Sequence, residues 1–260
     1  MGEFSSVERK GHIWIVTIER PKRLNALHPP ANAELGEVFD EFAKDEEAWV
    51  AIITGRGEKA FSAGNDLVYQ AEGGSMFPTP RGFAGLTSRF DLSKPVIGAV
   101  NGYAMGGGFE IALACDLIIA AEHAQFALPE PHVGLAALAG GLHRLPRQIG
   151  LKQAMGMILT GRRVSAVEGQ SLGFVNEVVP ADKLMDAAMK WAEDICACSP
   201  ASIQTSKDVI QRGLEHAGLE AAMKHPYDSV KRLRESPDFV EGPKAFSEKR
   251  KPNWQGYGAK

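Results

Sequence analysis

The chain begins with short apolar runs separated by an amphipathic segment. His12 to Arg20 (HIWIVTIER) is rich in β-branched and aromatic residues, and Val50 to Thr54 (VAIIT) is apolar throughout. Both patterns predict strands, and the second is typical of a strand that is buried on both faces in a sheet covered by helices. Ala31 to Phe42 has the helical period instead. Its apolar positions share one side: Leu35, Val38, Phe39 and Phe42. The order predicted for the first third is therefore β, β, α, β.

The same alternation returns in the middle of the chain. Pro95 to Asn101 (PVIGAVN) predicts a strand, Phe109 to Ala114 the start of a helix, and Leu117 to Ala121 another apolar strand. Repeated short strands and helices of this kind are typical of the α/β class. We therefore expect a single α/β core in this part of the chain.

The last third is predicted to be largely helical. Ser165 and Glu168 have the spacing of a capping box at a helix start, and Phe174 to Val179 predicts one further strand. Ser199-Pro200 marks a boundary between a core of residues 1–198 and a C-terminal helical region of residues 199–260. Helical patterns are present in three more segments: Ala181 to Ala197, Ser202 to Glu215, and a segment that begins near Leu219.

Composition narrows the class of protein. The chain has 260 residues with 44% hydrophobic and 23% charged residues, values that are ordinary for a folded globular protein. The net charge of −3 gives no general attraction for nucleic acid. Two basic clusters, Lys22 with Arg23 and Lys249 to Lys251, could hold an anionic ligand locally or could simply be solvated.

Three cysteines, Cys115, Cys196 and Cys198, are too few for a disulfide framework and indicate a reducing compartment. They form no recognisable zinc motif, and Cys196 and Cys198 are interpreted as small core-facing residues on a helix. No signal segment or run of roughly 18 apolar residues is present. We expect a cytoplasmic protein that does not bind membranes or metal.

Two glycine-rich turns carry the candidate chemistry. In Asn101 to Glu110 (NGYAMGGGFE) three glycines precede a predicted helix, so backbone N–H groups could bind an anion or a developing oxyanion, although the glycines could also serve packing alone. A dinucleotide motif would need glycine in place of Ile111. Phe61 to Leu67 (FSAGNDL) offers a second donor, the N–H of Asn65. Two such donors from different loops can form an oxyanion hole.

Two glutamates with apolar neighbours are candidate acids or bases. Glu110 lies between Phe109 and Ile111, and Glu130 follows the apolar string FALP. In a partly dry pocket their pKa values would rise toward neutrality, where they could exchange protons. Sequence spacing alone does not bring them together, and glutamates more often face solvent.

These strings, with LTGRRVSAVEGQSLGFVNEVVP and EGPKAFSEKRKPNW, occur in an order and spacing that resemble the crotonase family of enoyl-CoA hydratases and isomerases along nearly the whole chain. FAGL at 83–86, FALPE and the EGPKAFSEKR tail resemble the carnitinyl-CoA (crotonobetainyl-CoA) dehydratase branch. The resemblance implies a crotonase-like spiral of ββα units with a C-terminal helical trimerisation region. It also implies a homotrimer or a dimer of trimers.

The resemblance also implies a reaction, reversible syn addition of water to a 2-enoyl-CoA thioester without a metal or redox cofactor. Glu110 would activate the water, Glu130 would protonate the α-carbon, and the N–H groups of Asn65 and Gly107 would hold the thioester oxygen. Further residues are expected at the coenzyme A thioester: Lys22, Leu24, Ala26, Ala63, Asp66 and Leu67, with Phe246 and Lys249 from a neighbouring subunit.

Some features leave alternatives open. Ala137 and Leu138 stand where many hydratases have a Pro-Gly step, so the acyl pocket could differ. His132 could belong to the pocket or to the surface. The segment Glu72 to Arg81 has two glycines and two prolines and is either a lid or an ordinary loop.

Two groups of functions compete with hydration. One contains family reactions that use the same oxyanion hole: double-bond isomerisation, retro-aldol cleavage and thioester hydrolysis. The other is a noncatalytic or RNA-binding role, which the two glutamates and the −3 charge disfavour. The acyl group is open, but a quaternary ammonium group would be attracted to aromatic faces. Candidate rings are Trp14, Trp49, Tyr69, Phe77, Phe83 and Phe90.

Overall fold

The predicted alternation of strands and helices is present in the computed structural model, which describes residues 2–74 and 79–258. The strands in these residues are β1 (Ser5–Lys10), β2 (Ile13–Ile18), β3 (Val50–Gly55), β4 (Ala60–Ser62), β5 (Val96–Val100), β6 (Tyr103–Met105), β7 (Leu117–Ala121), β8 (Gln125–Ala127), β9 (Val164–Ser165) and β10 (Glu177–Val179). The helices are α1 (Pro29–Lys44), α2 (Leu67–Ala71), α3 (Gly107–Ala114), α4 (Gly141–Ile149), α5 (Leu151–Thr160), α6 (Ala166–Leu172), α7 (Leu184–Cys196), α8 (Pro200–Gly213), α9 (Leu219–Lys224), α10 (Asp228–Arg234) and α11 (Pro237–Ser247).

The strands form two sheets. The larger has the order β1-β2-β3-β5-β7-β10 and is parallel except for β1, which pairs antiparallel with β2. The smaller has the order β4-β6-β8-β9 and is parallel except for the β8–β9 pair. From β3 to β8 the strands alternate between the two sheets along the chain. Because β4, β6 and β8 are parallel neighbours, the turns that follow them lie next to one another at one edge of the smaller sheet.

The central strands are buried on both faces, as the apolar runs predicted. In β2, Trp14 and Val16 face the cluster that contains α1, while Ile13 and Ile15 face α7. Helix α7 covers that second face with three residues that are four positions apart, Leu184, Ala188 and Ala192. Because each side chain of β2 and β3 is buried, apolar residues at successive positions are favoured over alternation.

Most predicted elements are confirmed, with shifted ends. The capping box is present, since Ser165 Oγ accepts a hydrogen bond from the Glu168 N–H at 3.1 Å. The helix predicted from Ala181 begins as a 3-10 turn and becomes α-helical at Leu184. The strand predicted from Phe174 is shorter, because Phe174 is buried in the core at the end of α6 before β10 starts.

Several elements were not predicted. Strands β4, β6, β8 and β9 have two or three residues each, too few to establish a period. The core-facing interpretation is wrong for exposed Cys198, whereas Cys196 is partly buried against the cluster that α7 covers. Across residues 2–74 and 79–258, none of the helices has the length and hydropathy needed to cross a membrane.

Candidate active site

The two glycine-rich turns meet at the start of α3. Gly64 has φ +80°, and a Cβ on it would lie 2.6 Å from the backbone nitrogen of Gly107, so glycine is required for this close approach. Within the described residues, the N–H groups of Asn65 and Gly107 donate to no protein acceptor. The structure therefore brings together two free backbone donors that the sequence placed on separate loops.

Each of the three consecutive glycines approaches a different neighbour. A Cβ on Gly106 would lie 2.9 Å from Glu130 Oε1, and one on Gly107 would lie 3.2 Å from the ring of Phe83. A Cβ on Gly108 would collide with the carbonyl oxygen of Ser62. The packing interpretation is therefore confirmed for these glycines, while binding of an oxyanion by the free N–H groups stays a prediction.

Glu110 lies in the first turn of α3 and is only 2% exposed. Its Oε1 accepts a hydrogen bond of 2.8 Å from the N–H of Gly141, the first residue of α4. Burial, aided by the charge of Glu130, raises the pKa of Glu110 to about 7 against the opposing effects of the hydrogen bond from Gly141 and the positive charge of Arg144. This carboxyl group can therefore gain or lose a proton near neutral pH.

Glu130 begins a 3-10 helix, Glu130–Val133, directly after the smaller sheet. Burial raises its pKa too. Its Oε2 is buried without a hydrogen-bond partner among the described residues, while Oε1 lies beside Gly106. Because the charge of Glu130 acts on the pKa of Glu110, the two carboxyl groups share one region of low dielectric, which is the arrangement that sequence spacing could not establish.

Arg144 on α4 is a buried guanidinium that the sequence analysis did not single out. It donates to the carbonyl oxygens of Ala139 at 3.4 Å and Thr87 at 2.9 Å, and its charge favours ionisation of Glu110. Desolvation lowers its own pKa. An arginine on an amphipathic helix usually faces solvent, so the only sequence signal for this residue was the Gly140-Gly141 pair that precedes it at the start of α4.

The loop expected at coenzyme A is attached to the oxyanion turn. Backbone bonds run from Ala63 N to Leu24 O at 2.9 Å and from Leu27 N to Gly64 O at 2.7 Å. Lys22 and Leu24 are exposed, while Ala26 is buried. The structure thus places Lys22, Leu24 and Ala26 beside the Asn65 donor.

Asp66 stabilises the junction between the loop at Lys22 to Ala26 and the turn that carries Asn65. Its carboxylate pairs with Arg20 at 2.9 Å and accepts the N–H of Tyr69 at 3.1 Å, which caps α2. Burial opposes ionisation, but the Tyr69 and Arg20 hydrogen bonds outweigh it and hold the pKa of Asp66 below its usual value. The carboxylate is thus occupied internally, whereas Leu67 is 44% exposed.

Other candidates lie elsewhere. Phe246 is 87% exposed on α11, and Lys249 is exposed just beyond it, so neither is brought to the acids within this chain. His132 is exposed, and its Nε2 lies 2.9 Å from the carbonyl oxygen of Thr160, a position on the surface rather than in the pocket. Leu138 is 80% exposed, whereas Ala137 is buried against Gly141.

The segment Glu72 to Arg81 lies partly outside the described residues, because 75–78 are not described. The lid interpretation therefore stays a prediction.

Comparison with known proteins agrees with this geometry. The sequence model of a family described as enoyl-CoA hydratase/isomerase matches residues 8–257. A carnitinyl-CoA dehydratase of Citrobacter koseri is 46% identical, and the alignment covers 98% of this chain and 100% of the relative.

Solved structures extend the comparison to the fold. An enoyl-CoA hydratase of Mycobacterium tuberculosis overlays with a TM-score of 0.90 at 37% identity, covering 97% of this chain and 99% of the other. A carnitinyl-CoA hydratase of Mycobacterium avium gives 0.78 at 39% identity, covering 98% and 99%. The crotonase-like α/β fold that the resemblance implied is confirmed. The chain belongs to the enoyl-CoA hydratase/isomerase family, the crotonase family.

Proposed function

We propose that the protein is an enoyl-CoA hydratase that adds water reversibly and syn across the double bond of a 2-enoyl-CoA thioester. The observation that carries the proposal is the pair of carboxyl groups on buried Glu110 and partly buried Glu130, whose pKa values are both raised by burial and which lie next to the glycine turn with the free Gly107 N–H. Family isomerisation, retro-aldol cleavage and thioester hydrolysis remain the outcomes against which the proposal is tested.

In the proposed reaction, ionised Glu110 takes a proton from water while the water oxygen bonds to the β-carbon. The electron pair of the double bond moves toward the thioester carbonyl, whose oxygen accepts hydrogen bonds from the N–H groups of Asn65 and Gly107. Neutral Glu130 then gives a proton to the α-carbon. Glu110 ends protonated and Glu130 ionised, and the return of one proton between them resets the site.

Raised pKa values suit both roles. A base that ionises near pH 7 is largely available at neutral pH yet remains basic enough to accept a proton from water. Burial also keeps a fraction of Glu130 neutral, as proton delivery to carbon requires. Backbone donors and two carboxyl groups supply every step, so we propose that no metal or redox cofactor takes part.

The Asp66-braced junction supports binding of the coenzyme A portion at Lys22, Leu24, Ala26, Ala63, Asp66 and Leu67. Lys22 is exposed and cationic, which suits a phosphate group, and the exposed apolar side chains of Leu24 and Leu67 lie on the same two loops. At Asp66 any contact would come from the backbone, since its carboxylate is held by Arg20.

We further propose that the acyl group ends in a trimethylammonium group, so that the substrate pair is crotonobetainyl-CoA and carnitinyl-CoA. The 46% identity to a relative named carnitinyl-CoA dehydratase supports this choice. It predicts that crotonobetainyl-CoA is turned over with a higher kcat/KM than crotonyl-CoA or longer enoyl-CoAs.

A homotrimer, or a dimer of trimers, is proposed as the assembly. Helix α5 presents an exposed apolar stripe of Leu151, Met155 and Leu159, and Phe246 is 87% exposed, which suits contact with a second copy. In this assembly Phe246 and Lys249 would reach the coenzyme A site of a neighbour. A monomer by light scattering at micromolar concentration would contradict the proposal.

The deciding experiment follows loss of enoyl thioester absorbance with crotonyl-CoA, crotonobetainyl-CoA and longer enoyl-CoAs. Hydration in D₂O places one deuterium on the α-carbon and adds one oxygen to the product. Isomerisation moves the double bond without adding oxygen, and hydrolysis releases the free thiol of coenzyme A. Either of these products in place of the 3-hydroxyacyl thioester would refute hydration.

A further inference from the structure

Among the six aromatic residues considered for a cationic acyl group, Phe83 has the position that suits the role. Trp14 is buried in the core, Trp49 stacks on His12 at 3.7 Å, and Tyr69 packs against His28. Phe77 lies outside the described residues, and Phe90 is 79% exposed. We propose that Phe83 is the residue that determines specificity for the acyl group, an inference that rests on the proposed function.

The ring of Phe83 faces the oxyanion donor. The point where a Cβ would stand on Gly107 is 3.2 Å from each of the Cε1, Cε2 and Cζ atoms. A point equidistant from three ring atoms lies on the axis through the ring centre, so the ring turns its face toward Gly107 Cα. A thioester oxygen bound to the Gly107 N–H therefore has Phe83 as an immediate neighbour.

The turn that carries Phe83 is held in an unusual conformation. Gly82 and Gly85 have positive φ, and Ala84 between them has φ +51° although it is not glycine. An L-residue is disfavoured in this region and persists there only where the surroundings enforce it, which is a recurrent property of functional sites.

Hydrogen bonds enforce that conformation. The N–H of Phe83 donates to Thr87 Oγ1 at 2.9 Å, and the buried N–H of Ala84 donates to Asn32 Oδ1 at 2.8 Å. A Cβ on Gly85 would lie 2.5 Å from Gly36 Cα, so α1 closes the turn from behind. The ring is thus fixed before any ligand arrives.

Arg144 connects this turn to the acids. Its guanidinium donates to the carbonyl oxygen of Thr87 at 2.9 Å and exerts its charge on Glu110. One partly buried guanidinium is thus hydrogen-bonded to the turn that carries Phe83 and close enough to Glu110 for its charge to lower the pKa of that group.

The chemistry of the ring defines the ligand. One face of the Phe83 ring packs against Gly107, and the side chain remains partly exposed, so the surface left free offers an apolar edge and the opposite, negative π face but no hydrogen-bonding atom. A quaternary ammonium group cannot donate a hydrogen bond and is attracted by such a face. In a trimethylammonium acyl chain the cation lies one methylene beyond the double bond, close to the carbons that the acids address.

The test separates charge from shape with a matched ligand pair. One ligand is γ-butyrobetainyl-CoA, and the other is its neutral isostere in which carbon replaces the quaternary nitrogen. Dissociation constants are measured by calorimetry for wild type, Phe83→Leu, Phe83→Tyr and the control Phe239→Leu, since Phe239 is half exposed on α11. Neither ligand has a double bond, so binding is measured without turnover.

We expect Phe83→Leu to weaken binding of the cationic ligand roughly tenfold and that of the isostere less than about threefold, given the strength of cation–π contacts. Phe83→Tyr should keep wild-type selectivity, and Phe239→Leu should leave both constants unchanged. Phe83→Met is the second nonaromatic variant if Phe83→Leu does not fold. Equal losses for both ligands, or no loss for either, would overturn the proposal.

The same variants distinguish this inference from the proposed function. Wild-type protein that binds the cationic ligand selectively through Phe83 but hydrates no enoyl-CoA would refute hydration and leave the assignment of Phe83 standing. Hydration of crotonobetainyl-CoA with unchanged selectivity in Phe83→Leu and Phe83→Met would do the reverse.

Discussion

The substitution Glu110→Gln is expected to stabilise the fold at neutral pH while it removes activity. In the unfolded chain this carboxyl group has its ordinary pKa of 4.5, whereas burial in the fold raises the pKa to about 7. Between these values the folded state binds more protons than the unfolded state, so the free energy of unfolding falls as the pH rises and becomes constant above pH 7. The difference corresponds to about 3 kcal/mol.

Glutamine at position 110 carries no charge at any pH, and its side-chain oxygen can still accept the Gly141 N–H. The free energy of unfolding of Glu110→Gln should therefore exceed that of wild type by about 3 kcal/mol at pH 8 and by less than about 1 kcal/mol at pH 5. Urea titrations at one fixed protein concentration measure both values, since assembly would otherwise change the apparent stability.

Glu37→Gln is the matched control, because Glu37 is exposed on α1. It should change the free energy of unfolding by less than about 0.5 kcal/mol at either pH. Equal stability of wild type and Glu110→Gln at pH 8 would refute the assignment of a strained, buried carboxylate. The same result would weaken its role as the base that is poised near neutrality.

Three further outcomes are expected. Glu110→Gln and Glu130→Gln should each lower hydration turnover at least about a hundredfold while acyl-CoA still binds, and the double variant should lose much less than the product of the two; near-normal turnover in either single variant would make that glutamate structural. In wild type, kcat/KM should fall about tenfold per pH unit below the Glu110 pKa of about 7, and a flat profile from pH 5 to 7 would exclude ionised Glu110 as the base. Asp66→Asn breaks the ion pair with Arg20 and should lower kcat, because the Asn65 donor is displaced. Arg20→Lys should have the same effect in milder form. Unchanged kinetics in both variants would show that the ion pair does not position the donor.

The sequence predicted the elements whose formation depends on neighbouring residues in the chain. Continuous apolar runs predicted β2, β3, β5 and β7, because burial on two faces requires apolar residues at every position. Ser165 predicted the start of α6 because a side-chain hydroxyl can satisfy a free N–H by itself. The helix and strand ends were less accurate, since tertiary packing decides them.

The site depended on contacts that pattern alone does not encode. Glu110 and Glu130 were identified as an acid and a base, but only the fold brings them close enough for the charge of Glu130 to raise the pKa of Glu110. Arg144 was missed because its burial comes from the turn at Thr87, which is distant in sequence. The resemblance to a family supplied roles for Asn65 and Gly107, and the geometry supplies the reason that glycine is needed at Gly64.

The run of glycines at 106–108 limits the mutations that this protein can tolerate. Every single-nucleotide change that replaces glycine adds a Cβ, and each position would direct that atom against a different obstacle. At Gly107 the obstacle is the Phe83 ring, which a smaller side chain could replace. At Gly108 it is the backbone carbonyl of Ser62, which no side-chain change can remove. A library of suppressor mutations should therefore restore some Gly107→Ala variants through position 83 and leave Gly108→Ala without rescue.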